Sequence, residues 1–304
     1  MHKASKLIIF AITVWLIGFY GYALAIISMP KNGNIMEKLH VNSNNYWSPN
    51  PSLIKSDGGW DTRVWKWREF MGCGSIQIDN TANIHADWYD DNSIHLSMLT
   101  PPDSDWVYVA GISVGSVWDD LQPVYQPPPL KVSDVNSLIL QTKIEDWRGA
   151  PLSPIIFPSW YAMLTDVWFN VKDVTIEDEG IVQTFPSKIL GMDIFYHTMT
   201  GSLNVVMGGS NEFARIEPCN KNFIYSVNLS GQDFYTNEDG LFTVDLSALL
   251  LKAQEEAARL GWHFTIDNVE LVMMENVLES YWSYAYAKIN WSGIRYCMHE
   301  EECI

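Results

Sequence analysis

The sequence predicts an all-β protein, a β-jelly roll in which two antiparallel sheets pack face to face and one helix lies outside them. Three observations predict this class. Short apolar runs recur between turn residues along most of the 304-residue chain. Many of these runs alternate apolar with polar residues, which is typical of a sheet with one buried face. One stretch stands out by its helical periodicity and its helix-ending signals.

The first element is an apolar segment at the N-terminus. Two lysines precede an uncharged run over residues 7–28, which is long enough to span a bilayer. Ala23 and Ala25 form the small-residue pattern of a signal-peptide cleavage site. Residues 1–28 are therefore predicted to be either a cleaved signal peptide or a membrane anchor, and the membrane is a partner only through residues 7–28. Either way the rest of the chain is expected to be secreted or anchored on the outer face of the cell membrane.

The remainder divides into a tether, one domain and a short tail. Residues 29–43 are polar and rich in Asn, as in a tether. The β pattern runs through residues 44–296, and the Pro-rich stretch 122–134 interrupts it only as a loop. Residues 297–304 form the predicted tail. Clear strand candidates are SIQID, HADWY, SIHLSML, WVYVAGISV, SLILQTKI, MLTDVWFNV, MDIFYH, SLNVVMGG, FIYSVNL, VELVMM and YAYAKINW.

The single predicted helix covers residues 246–260. Asp245 precedes it as an N-cap and Gly261 follows it as a C-terminal stop. Its apolar residues recur at helical spacing and form one stripe: Leu246, Leu249, Leu250 and Ala253. A helix with one apolar stripe is expected to lie flat on the outside of a sheet.

Composition limits the partners. The chain has a net charge of −17, so its surface repels phosphate backbones and nucleic acid is not an expected partner. The 14 Trp and 14 Tyr residues suit sheet cores and flat apolar ligands such as sugar rings. The protein is expected to be a monomer.

The cysteines do not form a metal-binding pattern. Cys73, Cys219, Cys297 and Cys303 include no C-x-x-C pair, so neither a zinc site nor another cofactor is expected. Outside the cell they can form one or two disulfides, and Cys297 with Cys303 can close a small loop. Buried free thiols are the equally weighted alternative.

Acidic residues within apolar strands are the candidate catalytic groups. Asp166, Asp193 and Glu279 each lie in a strand candidate and are each followed by aromatic residues. Because side chains alternate across a strand, each acid should share a face with nearby rings: Asp166 with Trp168, Asp193 with Phe195 and His197, and Glu279 with Tyr281. Carboxylates that flank a glycosidic bond, with aromatic planes that hold the sugars, are what a glycosidase needs.

The order of several motifs resembles glycoside hydrolase family 12, the small jelly-roll endo-β-1,4-glucanases, and especially its thermophilic archaeal and bacterial branch. The motifs are NNYW (44–47), VYVAGISVGSVW, LKVSDVNSLIL, YAMLTDVWF, MDIFYH, LFTVDLSALLLKAQEEAARLG and LVMMENVLESYWSYAYAKINW. The resemblance covers about residues 44–296. It implies an extracellular enzyme that cleaves internal β-1,4-glucosidic bonds of cellulose or a related β-glucan by a two-carboxylate, retaining mechanism.

The resemblance also implies roles for individual residues. Asp193 falls on the nucleophile, Glu279 on the acid/base and Asp166 on the aspartate that hydrogen-bonds the nucleophile. Residues expected to contact the glucan are Trp47, Trp168, Tyr281, His197 and Glu275, the last as a companion of Glu279 on the same face. One acid should titrate high, and Glu279 is the expected one.

The chain departs from the family pattern at the site. Asp193 stands where the family has Glu, His197 where it has Trp, and Val277 where it has Gly. An Asp is one methylene shorter than Glu, which should widen the gap between the two catalytic carboxyls by about 1 Å. The alternative hypotheses are a carbohydrate-binding protein on the same fold with weak or no hydrolysis, and a structural cell-surface protein.

Overall fold

Alternating residues place most of the chain in two β-sheets. The computed structural model describes residues 46–47, 61–70, 73–78, 84–88, 93–100, 107–117, 126–152, 159–199, 211–229 and 240–298. At positions 61–70, 73–78, 88, 151, 197–199 and 291 only the backbone is described. The predicted export segment, the tether, and the strand candidate SLNVVMGG lie outside the described residues.

Within the described residues the larger sheet has ten strands, with the main order β10-β11-β9-β8-β14-β5-β1-β2. Two short strands pair at its sides, β13 with β8 and β6 with β14. Its strands are β1 (Asp61–Phe70), β2 (Cys73–Ile78), β5 (Val107–Val114), β6 (Leu130–Lys131), β8 (Trp160–Asp178), β9 (Ile181–Met199), β10 (Glu212–Ile216), β11 (Phe223–Asn228), β13 (Trp262–His263) and β14 (Val269–Tyr281).

The smaller sheet has five strands in the order β12-β7-β15-β4-β3. They are β3 (Ile84–Trp88), β4 (Ile94–Leu99), β7 (Ser137–Pro151), β12 (Leu241–Asp245) and β15 (Ser283–Cys297). Two 3-10 turns, Val132–Asp134 and Ile266–Asn268, complete the described secondary structure together with one α-helix. The two sheets form the predicted jelly roll.

One strand pair departs from the antiparallel prediction. β11 runs parallel to β9, whereas β10 pairs antiparallel with β11. A parallel neighbour requires a long connection, and the chain has room for one because β10 lies between β9 and β11 in sequence. The larger sheet is therefore antiparallel except at this pair.

β8 and β9 form a hairpin much longer than the two predicted strand segments. Its turn places Glu179 at φ 49° and Gly180 at φ 80°, between the paired residues Asp178 and Ile181. Two successive residues with positive φ form the turn that matches the twist of a hairpin. The tip is exposed, with Ile181 at 61%. Because the residues of the tip are exposed, their sequence does not show the alternation of apolar and polar residues by which strands are predicted.

The predicted helix is confirmed as α1 (Leu246–Arg259). The carboxylate of Asp245 accepts a hydrogen bond from the backbone N–H of Ala248 over 3.0 Å, and Gly261 adopts φ 83° just past the end. Its buried residues are the predicted stripe and Ala257. The helix lies outside the sheets and contacts β7, β10 and β13.

The core between the sheets is largely apolar but contains one polar cluster. Thr142 and Ser292 of the smaller sheet, and Thr165, Tyr196 and Asn276 of the larger sheet, are all at most 3% exposed. Tyr196 Oη contacts the hydroxyls of Thr165 (2.8 Å) and Thr142 (3.2 Å). Oδ1 of Asn276 accepts from Thr165 (2.6 Å) and Ser292 (3.2 Å). We call these five residues the core polar cluster, and it joins the two sheets.

Two further features bear on the predictions. Cys219 and Cys297 are both disulfide-bonded, and no cysteine in the described part of the chain is a free thiol. The disulfide alternative therefore holds for these two residues. No helix in the described ranges has the length and apolar character needed to cross a membrane.

Candidate active site

Three carboxylates stand side by side across three neighbouring strands. Glu275 of β14 pairs with Asp166 of β8, and Asp166 pairs with Asp193 of β9. The line continues to Ser113 of β5 at one end and to Ser226 of β11 at the other. Directly paired residues of adjacent strands have their Cβ atoms about 4.5–5.5 Å apart. We call Glu275, Asp166 and Asp193 the acid row.

The acid row lies on the face of the larger sheet that points away from the smaller sheet. Thr165 and Asn276, which neighbour Asp166 and Glu275 in sequence, belong to the core polar cluster and face the smaller sheet. Because successive side chains alternate across a strand, Asp166 and Glu275 point to the opposite side. We call this side the acid face.

Asp166 and Asp193 share a hydrogen bond. The pKa of Asp166 is well above its usual range, mainly because the side chain is buried, and then because of the negative charges of Asp193, Glu275 and Glu279. Its hydrogen bond to Asp193 raises the pKa of Asp166 further, so Asp166 is the partner that holds the proton and donates. Its Oδ1 has no hydrogen-bond partner.

The pKa of Asp193 is raised above its usual value, although several neighbours favour its ionised form. Burial raises the pKa of this carboxyl, but the hydroxyl of Ser226, which donates to Oδ2 over 2.8 Å, lowers it. The positive charge of Arg215 and the hydrogen bond from Asp166 also lower the pKa, and the charge of Glu217 raises it. Asp193 is half-buried, whereas Asp166 is 8% exposed. Asp193 is therefore the accessible member of a hydrogen-bonded pair.

Glu279 lies on the same face but not in the acid row. It is four residues beyond Glu275 on β14, about 13 Å along the strand. It pairs with Ala162 of β8 and Val109 of β5, and its side chain is half-buried. Its charge acts on Asp166 and raises the pKa of that carboxyl. The predicted high titration of Glu279 itself stays a prediction.

Apolar side chains occupy the face between the acid row and Glu279. Val277, Leu164 and Phe195 form one cross-strand line there, and each is at most 7% exposed. They form an apolar cluster with Val109 and Ala162. Among the side chains described on this face, the accessible acids Asp193 and Glu279 are therefore separated by three paired apolar residues.

Trp168 lies on the acid face beside the acid row, as predicted. It pairs with Gly191, which is two residues before Asp193 on β9. A Cβ added at Gly191 would lie 2.7 Å from Cζ3 of Trp168 and 2.8 Å from Cδ1 of Ile224. The missing side chain of Gly191 thus lets the indole lie against β9. Trp168 is half-buried and presents a flat surface next to Asp166 and Asp193.

Trp47 is not placed on the acid face. It belongs to the main core, is 7% exposed, and donates from Nε1 to the carbonyl of Pro128 over 3.0 Å. Its backbone N–H donates to the carbonyl of Ile294 in the smaller sheet. The sequence prediction that Trp47 lines the sugar site is corrected to a core role, because its strand segment joins the smaller sheet.

The other predicted contact residues fall in different surroundings. Tyr281 pairs with Trp160 at the end of β14 beyond Glu279, and both rings are half-buried. His197 lies in β9, and its side chain is outside the described part of the structure. A β-bulge separates the pairs Leu164 with Phe195 and Met163 with His197, so simple alternation from Asp193 holds only as far as Phe195.

Glu275 is the second correction. It was expected to contact the glucan, but it is 2% exposed and lies against Asp166. Three residues that shape the site were not predicted: Ser226, Arg215 and Gly191. The sequence contains no sign of which strands neighbour β9, and this adjacency is what brings Ser226 to Asp193. In the described ranges no three His, Cys, Asp or Glu side chains are grouped so as to hold a metal ion.

Solved structures similar to this chain are glycoside hydrolases. A family 12 xyloglucanase from Bacillus licheniformis is 9% identical, with a TM-score of 0.43, over 78% of this chain and 99% of the enzyme. The xyloglucanase domain of a type three effector from Sinorhizobium fredii, solved with cellobiose, is 12% identical, with a TM-score of 0.41, over 80% and 100%. A family 11 xylanase from Neocallimastix patriciarum is 10% identical, with a TM-score of 0.35, over 78% and 99%. No protein-family model matches the sequence, and the comparison with curated proteins found no match.

Proposed function

We propose that this protein is an endo-acting glycoside hydrolase that cleaves β-1,4 bonds of a β-glucan, with Asp193 as nucleophile and Glu279 as acid/base. The observation that carries the proposal is the hydrogen-bonded pair of Asp166 and Asp193, to which Ser226 donates as well. A carboxylate with a purely structural role needs no accessible partner. On this face the accessible acids Asp193 and Glu279 accompany two buried acids, Asp166 and Glu275.

The proposed reaction has two steps. In the first, a carboxylate oxygen of Asp193 bonds to the anomeric carbon, the glycosidic C–O bond breaks, and Glu279 gives its proton to the departing oxygen. In the second, water attacks the anomeric carbon, Glu279 takes a proton from that water, and Asp193 leaves as a carboxylate. The product keeps the anomeric configuration of the substrate. Asp166 remains protonated and donates to Asp193 whenever the latter carries negative charge.

The separation of the two catalytic carboxyls distinguishes a retaining from an inverting course. A retaining pair holds them about 5–5.5 Å apart, and an inverting pair about 6.5–9.5 Å apart. Asp193 and Glu279 lie two strands apart, and Glu279 is about 13 Å along the strand from the acid row. The strand register therefore does not favour a retaining course over an inverting one. The retaining course is proposed from the family resemblance alone, and the anomer that forms first tests it.

The substrate class follows from the acids and the ring beside them. Trp168 presents its indole next to Asp166 and Asp193, where a sugar ring can stack on it. The paired strands place Trp168, the acid row, Glu279 and Tyr281 in one line along β8 and β14. Such a line suits an internal segment of a polysaccharide. We therefore propose endo cleavage of cellulose or a related β-glucan.

Export from the cytoplasm is part of the proposal. Cys219 and Cys297 are disulfide-bonded, and such bonds persist in oxidising compartments. A polymer substrate also lies outside the cell. We propose that the enzyme acts there, either secreted or held at the outer face of the membrane by its N-terminal segment.

A carbohydrate-binding protein without hydrolysis is the second candidate. Asp193 favours it, because this shorter acid stands where the family that the sequence resembles has Glu. A misplacement of about 1 Å can cost on the order of a hundredfold in rate.

One experiment separates the two candidates. The purified protein is incubated with soluble β-glucans, and new reducing ends and bound glucan are both measured. We expect reducing ends, with the β-anomer formed first in proton NMR. Binding without reducing ends would establish the binding protein, and first formation of the α-anomer would overturn the retaining mechanism.

A further inference from the structure

Ser226 contacts Asp193 from the side opposite Asp166. It is the partner of Asp193 on β11, which runs parallel to β9, and its hydroxyl donates to Oδ2 of Asp193 over 2.8 Å. Asp166 is the partner on β8, and it forms a hydrogen bond with the same carboxyl. The Asp193 carboxyl is therefore held from both neighbouring strands.

The side chain of Ser226 lies beside the carboxyl and away from the position of a substrate. Its sequence neighbours Tyr225 and Val227 belong to the main core, so alternation places Ser226 on the acid face. On its other side Ser226 pairs with Phe213 of β10, which packs against the apolar cluster of that face. Ser226 is 6% exposed, whereas Asp193 is half-buried. A bound sugar therefore meets Asp193, and Ser226 acts on it only through that carboxyl.

The Ser226 contact differs in kind from the other interactions of this carboxyl. Burial raises the pKa of Asp193, and among the influences that lower it the hydrogen bond from Ser226 is the largest. Arg215 and Glu217 act through their charges, with opposite sign. Asp166 donates only while it holds its own proton. The serine hydroxyl carries no charge and stays a donor when these groups titrate.

The reach of the two side chains suits an aspartate at position 193. Paired residues of adjacent strands stand about 4.8 Å apart, so side-chain groups close to the backbone meet most directly across the pair. The serine hydroxyl is one bond from Cβ, and the oxygens of an aspartate are two bonds from it. A glutamate carboxyl would stand about 1 Å farther from its strand. The Ser226 contact therefore fits the shorter acid.

We propose that Ser226 is a positioning residue that fixes the orientation of the Asp193 carboxyl towards the anomeric carbon. The inference rests on the proposed function, in which Asp193 attacks that carbon. A carboxyl held from one side only can turn about its side-chain bonds, and a misplacement of about 1 Å can cost on the order of a hundredfold in rate. Ser226 removes this freedom without touching the sugar.

The test is Ser226→Ala, which removes the hydroxyl and keeps the backbone pairing of β11. We expect kcat on a soluble β-glucan to fall about tenfold to a hundredfold, with KM within about twofold of the wild type, because the lost contact is not to the sugar. Carboxyl ¹³C NMR should show Asp193 titrating at higher pH, since a donor to its ionised form is gone. Ser226→Thr keeps the hydroxyl and should bring both readouts back towards the wild type.

Two comparisons make the result specific. Ser187→Ala makes the same chemical change on β9, at a hydroxyl that donates to Asn170, and should move neither readout. In Asp193→Glu the carboxyl stands farther from its strand. Ser226→Ala should therefore cost less activity in that background, and shift the titration of residue 193 less, than in the wild type. Equal effects in both backgrounds would overturn a direct hold of Ser226 on the short carboxyl.

The titration separates this inference from the proposed function. If kcat and the Asp193 titration both stayed unchanged in Ser226→Ala, Ser226 would have no positioning role. A raised KM with unchanged kcat would also reject that role and make Ser226 a sugar contact. A protein that releases no sugar from any β-glucan rejects the proposed hydrolysis, and a shifted Asp193 titration in Ser226→Ala would then still uphold the hold of Ser226 on that carboxyl.

Discussion

The hydroxyl of Thr165 donates to Oδ1 of Asn276 over 2.6 Å on the core side of the two strands that carry Asp166 and Glu275. These residues are themselves cross-strand partners, one position away from the paired acids. The core polar cluster therefore holds β8 and β14 together on the core side of the sheet, directly behind the acid row on the opposite side. A buried hydrogen bond also specifies which groups must meet, because an unpaired partner is unfavourable there.

Thr165→Val should destabilise the fold although it preserves shape. The change removes the donor to Asn276 and leaves buried polar atoms unpaired, which costs about 1–3 kcal/mol of the free energy of unfolding. Urea denaturation measures this cost. Thr175→Val on the same strand, outside the cluster, is the matched control and should change stability by less than about 0.5 kcal/mol. Equal effects of the two variants would mean that the cluster contributes nothing specific.

Glu279→Gln should abolish most glucan hydrolysis while the fold remains intact. A missing general acid typically lowers the rate about 10²–10⁴-fold. The loss should be much smaller on an aryl glycoside whose leaving group departs without a proton. Reducing-sugar and chromogenic assays on the same preparation measure both rates. A proportional loss on both substrates would argue against Glu279 as the acid.

Asp193→Glu tests the shortened nucleophile. In a retaining mechanism limited by the missing methylene, the longer side chain should raise kcat. Ser226 and Asp166 hold the present carboxylate, so circular dichroism and the melting temperature are needed to show that the variant packs normally. A lower or unchanged rate in a well-folded variant would point to an inverting enzyme or to no role for Asp193. Asp193→Asn should be inactive in either mechanism.

Two tryptophans should respond oppositely to truncation. Trp168→Ala removes the flat surface beside the acid row and should weaken glucan binding about tenfold, with little change in stability. Trp47→Ala empties part of the main core and should cost about 3–5 kcal/mol of stability. Isothermal titration calorimetry and thermal melts measure the two effects. The reverse outcome would return Trp47 to the sugar site.

Local signals predicted the elements that depend on local physics. Asp245 and Gly261 mark the ends of the helix because capping and positive φ are properties of single positions. Asp166 and Trp168 share a face because side chains alternate along a single strand, which is also a local property.

Pairings between distant segments do not follow from local sequence signals. Trp47 is buried because its segment pairs with β15, far along the chain. The acid row exists because β14, β8 and β9 are neighbours in register, and a one-residue shift would have dispersed it. The bulge after Phe195 is such a shift, and alternation within one strand does not reveal it.

The raised pKa of Asp166 predicts how stability depends on pH. Burial is the main cause of the shift, so the folded protein holds this proton at pH values where the unfolded chain, with a pKa of about 3.9, has lost it. The contribution of the group is fully present below the unfolded pKa and is lost as the pH rises through the folded pKa. The loss amounts to at most about 1.4 kcal/mol per pH unit.

Asp166→Asn isolates this contribution. The amide resembles the protonated acid in shape and can still donate to Asp193, but it does not titrate in this range. Below about pH 3.9 the two proteins should therefore have similar free energies of unfolding, and above it the variant should become progressively more stable than the wild type. Urea denaturation at a series of pH values measures the difference. Asp173→Asn, an exposed position on the same strand, controls for the loss of one carboxylate from the surface. If wild-type stability rose with pH relative to Asp166→Asn over this window, Asp166 would be ionised in the folded protein, and the donor to Asp193 would have to be sought elsewhere.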